Sequence, residues 1–224
     1  MLYIVATPIG NLEDITLRAV NILKEADLVL CEDTRETVKL LNHLDIKKPL
    51  LSYYKDNEAG RLKKAVEMLL DGKDIALVSD RGTPGVSDPA YLLVREAFRY
   101  NIRVVPVPGP SAFTAAMSVC GLPTDRFSFY GFLPRKKGKK IQFFSALQDK
   151  KETMFFFESV HRIRETMEIL DTLFPGRELT VCRELTKKFE EVKTGTVSSI
   201  CAEYREKEAE EIKGEFVLIL KGRE

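Results

Sequence analysis

Short apolar runs alternate with amphipathic stretches along the first half of the chain. Residues 2–6, 28–31, 50–53, 75–78 and 102–107 are mostly apolar and too short for helices, so they read as strands. Between them, 16–26 carries helical spacing through Leu17, Val20 and Leu23, and 34–44 follows the same rule. In 58–70, Leu62, Val66, Leu69 and Leu70 share one face, and Gly72 ends the helix. Asp88 is a good N-cap and Pro89 suits a first helical position, which predicts a further helix over 89–100. Strand and helix in alternation imply a mostly parallel sheet covered on both faces.

Pro106-Val107-Pro108-Gly109-Pro110-Ser111 breaks this rhythm. A small apolar stretch, 112–120, reads as a buried helix closed by Gly121-Leu122-Pro123. The second half then offers strands at 127–130, 154–157, 179–182, 190–193 and 216–220, with helices at 139–147, 162–173 and 198–207. The expected fold class is therefore α/β, with two α/β lobes, 1–120 and 121–224.

Composition narrows the classes. With 224 residues and 44% apolar content, the chain can bury two modest cores. Its formal net charge is +1, so contact with a polynucleotide needs a local basic patch and not a whole-molecule field. Cys31, Cys120, Cys182 and Cys201 form no C-x-x-C pair and read as reduced thiols of a cytoplasmic protein. His43 and His161 have no metal-ligand spacing, so no metal is expected. The opening residues lack a basic n-region and meet Pro8 early, unlike a signal peptide, and no run approaches membrane-spanning length.

Irregular segments follow the predicted strands: Thr7-Pro8-Ile9-Gly10-Asn11, Glu32-Asp33-Thr34-Arg35, Ser79 to Ser87, and Pro108 to Ser111. In a parallel sheet they collect along the carboxyl edge, where ligands bind. Their charge is acidic, through Glu32, Asp33, Asp80 and Asp88, with Arg35 and Arg81 nearby. Neither G-x-x-x-x-G-K-[ST] nor G-x-G-x-x-G is present, and a polyphosphate would meet carboxylates. A ligand with hydroxyls, an amino group or a positive centre suits such an edge, and S-adenosylmethionine has all three. Asp88 has the competing explanation of a helix cap.

The second lobe carries the opposite sign. Arg135-Lys136-Lys137-Gly138-Lys139-Lys140 places five bases in six residues beside Phe129, Tyr130 and Phe132. A solvated loop is the ordinary explanation of such a run. Bases that track phosphates beside rings that stack on unpaired bases make RNA the sharper one. Glu158 could accept a proton or hold a ligand hydroxyl, and it could equally cap the helix that follows it, as Ser159 could. No G-x-S-x-G elbow supports a serine hydrolase.

Taken in order, several motifs resemble one family. They are Thr7-Pro8-Ile9-Gly10-Asn11-Leu12, Cys31-Glu32-Asp33-Thr34-Arg35, Ser79-Asp80-x-Gly82-Thr83-Pro84-Gly85-x-Ser87-Asp88-Pro89, Pro106-Val107-Pro108-Gly109-Pro110-Ser111-Ala112, Gly131-Phe132-Leu133-Pro134-Arg135, Glu158-Ser159-x-His161-Arg162 and Arg183-Glu184-Leu185-Thr186-Lys187. The chain resembles the tetrapyrrole-methylase superfamily, in its branch acting on small-subunit ribosomal RNA. The resemblance implies a cytoplasmic, S-adenosylmethionine-dependent enzyme that methylates the ribose 2′-hydroxyl of a cytidine in that RNA. It also implies a homodimer and a cofactor cleft between the lobes. By motif, Pro8, Asp80, Gly82, Val86, Ser87, Ser111 and Ala112 would line the cofactor pocket. Asp33 and Glu158 are the candidate proton acceptors. Asn11, Arg35, Arg135, Lys136, Lys137, Lys139 and Lys140 are the expected contacts to RNA. Arg81 and Val160 depart from the family pattern, which usually has Ala and Pro there. Two other readings stay open: a small-molecule methyltransferase of the same fold, acting for example on a tetrapyrrole, and a non-catalytic ribosome-binding module.

Overall fold

The computed structural model describes residues 1–54, 58–88, 90–208 and 211–223. The chain divides into two compact units, Met1–Ser111 and Ala112–Glu224. In the first unit, β1 (Leu2–Val5), β2 (Leu28–Cys31), β3 (Leu50–Ser52), β4 (Ile75–Val78) and β5 (Val104–Val107) form a parallel sheet in the order β3-β2-β4-β1-β5. Its helices are α1 (Leu17–Glu25), α2 (Thr34–His43), α3 (Glu58–Leu70) and α4 (Tyr91–Arg99).

β2 and β4 are buried at every position. Successive side chains point to opposite faces, so a strand covered on both sides must be apolar throughout. Leu28, Leu30, Ile75 and Leu77 meet Val66, Leu69, Leu93 and Ala97 of α3 and α4. Val29, Cys31, Ala76 and Val78 meet Ala19 and Leu23 of α1 and Leu41 of α2. Each fully buried Leu or Ile contributes about 1.5–3 kcal/mol, so a charge at Leu30 or Ile75 would undo a whole layer. Thr16 and Asp33 cap α1 and α2, accepting from the N–H groups of Ala19 and Arg35.

Two local expectations change here. α4 begins at Tyr91, with Ala90 in the cap position and no side-chain cap. Asp88 instead accepts from the N–H of Gly85, within its own loop. Pro89 lies outside the described residues. β5 starts at Val104 and not at 102, because the N–H of Ile102 bonds Ala97 O at 2.8 Å to finish α4, with Asn101 left-handed at φ 55°.

The second unit contains α5 (Ala112–Val119), β6 (Phe127–Phe132), α6 (Lys137–Ser145), β7 (Thr153–Ser159), α7 (Ile163–Leu173), β8 (Glu178–Arg183), β9 (Glu191–Thr196), α8 (Val197–Glu206) and β10 (Glu215–Leu220). Its sheet runs β6-β7-β10-β8-β9, parallel between β6 and β7 and antiparallel elsewhere. Met154, Phe156, Leu179, Val181 and Leu218 form the core with α6, α7 and α8. On the opposite face, the Phe113 ring of α5 lies 4.8 Å from Phe129 and 5.0 Å from Phe155. These contacts place α5 with the second unit, so the division falls at 111/112 and not near 120. α5 itself buries Ala116, while Thr114, Ser118 and Val119 are exposed. Among the described residues, no helix is long and apolar enough to cross a membrane.

Candidate functional site

Three loops leave the carboxyl edge of the first sheet and are stitched together. Thr7, after β1, and Gly82, after β4, form an isolated antiparallel bridge, with N–H to O distances of 2.9 and 3.0 Å. The Thr7 hydroxyl donates to Ser79 O at 3.0 Å, and the Ser79 hydroxyl donates to Gly82 O at 2.9 Å. Beyond β5, Pro110 O accepts from the Thr83 hydroxyl at 3.0 Å. Gly82 is left-handed at φ 84°, and a Cβ there would sit 3.3 Å from Cγ2 of buried Ile9 and 3.8 Å from Cα of Ser111. Only a glycine supplies that backbone without strain or crowding. Thr7, Ser79 and Thr83 are not among the expected site residues. Their signal was a hydroxyl beside a Gly/Pro turn, a pattern shared by many ordinary loops.

The acidic residues converge on the same edge. Asp80 accepts from the backbone N–H of Asp33 at 2.8 Å, tying the loop after β2 to the loop after β4. Desolvation raises the carboxyl pKa of Glu32, Asp80 and Asp88, and nearby carboxylates raise it further: Asp80, Asp88 and Asp33 act on Glu32, Asp33 and Glu36 act on Asp80, and Asp80 acts on Asp88. Arg81, exposed on the loop, partly offsets the rise at Asp80. Asp33 differs. Hydrogen bonds from the side chain and backbone of Arg35 hold it down at about 2. Three crowded carboxylates with raised affinity for a positive charge are what a cationic ligand would relieve. Among the described residues, no cluster is arranged to hold a metal ion.

Of the remaining expected cofactor residues, those of the first unit lie on the loops that follow β1, β4 and β5. Pro8, Gly82 and Ser111 are buried, and Asp80 and Val86 are half-buried. Ser87 is exposed at φ 75°, in a region that costs a serine strain. Ala112 is the first residue of α5, in the second unit. Asn11 accepts from the N–H of Glu13 at 3.1 Å and caps a short 3₁₀ turn. Arg35 is exposed and grips Asp33 at 2.6 Å. As cap and ion-pair partner, Asp33 is a weak proton acceptor.

In the second unit, Arg135, Lys136, Lys137 and Lys139 are exposed at the start of α6. Lys140 is not. It is fully buried, 3.4 Å from Glu158 and 3.0 Å from Glu165, and its ammonium donates to the Thr166 hydroxyl at 2.8 Å. The expectation that Lys140 contacts RNA is therefore corrected, since no surface ligand can reach it. Glu158 is also buried. It pairs with Arg162 at 2.7 Å and accepts from the Thr166 hydroxyl at 2.6 Å and from the N–H of Ser159 at 2.8 Å. Its lone pairs are occupied, which leaves little room for a substrate proton. Val160 packs against the unit's core. Of the flanking rings, Tyr130 stacks on Phe156 at 5.4 Å and Phe129 meets Phe157 at 5.0 Å, while Phe132 is exposed.

A parallel acidic-edged sheet followed by a mixed sheet with a cationic helix start defines a two-unit α/β protein, and comparison gives its class. Residues 1–201 match the family model "Tetrapyrrole (Corrin/Porphyrin) Methylases". The chain belongs to the tetrapyrrole methylase family. It is 44% identical to "Ribosomal RNA small subunit methyltransferase I" of Thermotoga maritima, covering 100% of this chain and 99% of that one. The protein of the same name from Halalkalibacterium halodurans is 47% identical, over 99% of this chain and 75% of its own length. Among solved structures, the methyltransferase CobJ superposes with a TM-score of 0.69 at 19% identity, covering 99% of this chain and 93% of that one. Uroporphyrin-III-C-methyltransferase from Thermus thermophilus gives 0.64 at 20%, covering 98% and 93%. At such identities these two establish the fold.

Proposed function

We propose that this chain uses S-adenosylmethionine to methylate the ribose 2′-hydroxyl of a cytidine in small-subunit ribosomal RNA. One observation carries the cofactor half: the stitched carboxyl edge gathers Glu32, Asp80 and Asp88 with raised carboxyl pKa values and offers no phosphate cradle. The residues fit the group, because an acidic edge favours its cationic centre and Gly82 lets the loops that carry Ile9, Pro110 and Ser111 pack closely at that edge, where a Cβ would crowd Ile9. Pro8, Asp80, Gly82, Val86, Ser87, Ser111 and Ala112 are the residues assigned to hold it. When bound, the sulfonium supplies an electrophilic methyl group and a neutral thioether leaving group. The protein's own task is then to orient the acceptor and exclude water, so positioning carries the rate.

The RNA half rests on α6 and on the names of the relatives. α6 has no side-chain cap, and its first residues are Lys137, Gly138, Lys139 and Lys140, after Lys136. The positive end of a helix disfavours such cations, whereas an anion placed there gains from both dipole and charge. Phosphates supply that anion, and exposed Phe132 offers a ring to an unpaired base. The reading extends to a homodimer, which sedimentation of the pure chain measures. The deciding experiment supplies labelled cofactor with purified small ribosomal subunits, naked small-subunit RNA or a tetrapyrrole. Label in a cytidine ribose supports the reading. Label in the tetrapyrrole alone transfers it to the small-molecule alternative, and no label at all leaves the non-catalytic binding module.

A further inference from the structure

Lys140 and Glu158, fully buried in the second unit, form one connected group with the partly exposed Arg162 and Glu165. Glu158 stands at its centre, near the end of β7. One carboxylate oxygen pairs with Arg162 at 2.7 Å, and the other accepts from Thr166 at 2.6 Å and faces Lys140 at 3.4 Å. Arg162 reaches on, donating from Nη1 to Leu133 O at 3.0 Å and from Nε to the Ser159 hydroxyl at 3.1 Å. Lys140 also holds Glu165 at 3.0 Å. Two cations therefore face two carboxylates, and the group is neutral. Removing one partner would leave an uncompensated buried charge, which is strongly unfavourable.

The sequence positions give this group a purpose. Leu133 and Lys140 bracket the segment Pro134-Arg135-Lys136-Lys137-Gly138-Lys139. One end is tied to Glu158 through Arg162, and the other is tied to it directly. The bases in between repel one another and oppose the dipole of α6, so an unbraced segment would spread and fluctuate. We propose that Glu158, with Lys140 and Arg162, is a positioning device that presets this basic segment for phosphate contact. It acts through the segment and touches no substrate. The inference rests on the RNA reading above.

The test uses the full chain in three variants, with purified small-subunit ribosomal RNA as probe. Lys140→Met should accelerate hydrogen exchange at the start of α6, first at the residue-140 amide, which bonds Lys136 O at 3.0 Å, and weaken RNA binding about tenfold, the cost of ordering one or two freed residues on binding. Its salt slope should match the wild type, because the same phosphates are still neutralised. Arg135→Ala should instead lower the slope by roughly one. Cofactor affinity should be unchanged in both. Glu165→Gln, at the half-exposed end of the group, should loosen the segment less, and it decides the matter if Lys140→Met fails to fold. Unchanged exchange in the first turns of α6 overturns the brace, as does a salt slope in Lys140→Met that falls as in Arg135→Ala. If Arg135→Ala leaves RNA binding untouched, the RNA reading fails, and the exchange rates still judge the brace by themselves.

Discussion

Gly82 and Gly72 share one backbone angle, φ 84°, and differ in what surrounds them. That pair allows the cofactor seam to be tested against an internal control. Gly72 ends α3, and a Cβ built on it meets nothing within 4 Å. Gly72→Ala should therefore show the backbone penalty alone, about 1–2 kcal/mol. At Gly82 the same penalty applies, and the new Cβ also presses Ile9 Cγ2 at 3.3 Å, where Ile9 is buried and has little space to give. The Gly82 carbonyl accepts from the N–H of Thr7 and from the Ser79 hydroxyl, so a shift there loosens two loops at once. Either substitution is small against the 5–15 kcal/mol that holds an ordinary domain, so both proteins should fold. A fall in melting temperature of about 2–8 °C is expected for each. Calorimetric titration with S-adenosylmethionine then separates them: Gly72→Ala should bind as wild type, and Gly82→Ala should bind at least tenfold more weakly. Equal affinities in the two variants, at equal loss of stability, would show that the seam is not where the cofactor binds.

Three further outcomes follow from the charges. Replacing Arg135, Lys136 and Lys137 together with Ala should weaken RNA binding and lower the salt slope by roughly two to three, read from binding isotherms across a salt series. Cofactor affinity should fall on acidification at a pH above the ordinary Asp value of 3.8, because Asp80 and Asp88 hold their protons more tightly than free carboxyls. Calorimetry in buffers of different ionisation enthalpy should show proton release on binding in that range, and a pH-independent affinity would count against a cationic ligand. Asp33 carries the opposite sign: its pKa is depressed to about 2, so its contribution to stability is present above 3.8 and is lost as pH falls through about 2. Asp33→Asn keeps a good cap and should keep turnover near neutral pH; a variant without measurable methyl transfer would reinstate Asp33 as the proton acceptor.

The sheet of the first unit was legible because its strands are short, apolar and separated by periodic helices. β2 and β4 were read with their observed bounds, since a strand buried on both faces writes an unbroken apolar run. Helix ends were harder. α4 was expected to begin on Asp88-Pro89, yet the Asp88 carboxylate is taken by Gly85 inside a tight loop, a competition that local propensity does not reveal. β9 was the weakest strand in the sequence, because on this edge strand Glu191 and Lys193 take the half-buried positions as ion-pair partners while Val192 is exposed, which inverts the usual alternation.

The same limit governs the charged residues, and it is physical. Lys139 and Lys140 are adjacent, chemically identical and equally plausible as phosphate contacts in the sequence. On a helix they point about 100° apart, so one meets water while the other turns inward. Burying an ammonium is tolerable only if carboxylates and hydroxyls wait for it, and these come from Glu158, Glu165 and Thr166, 18 to 26 residues away in the chain. A basic run therefore states that cations are present, whereas its partners in space decide which of them are free. Asp33 and Glu158 make the same point with the sign reversed: each carboxylate belongs to a familiar motif, and each is already occupied by a nearby arginine. A proton acceptor for the ribose hydroxyl must keep a lone pair unoccupied, and that requirement now favours a search among the crowded, weakly paired carboxylates of the acidic edge.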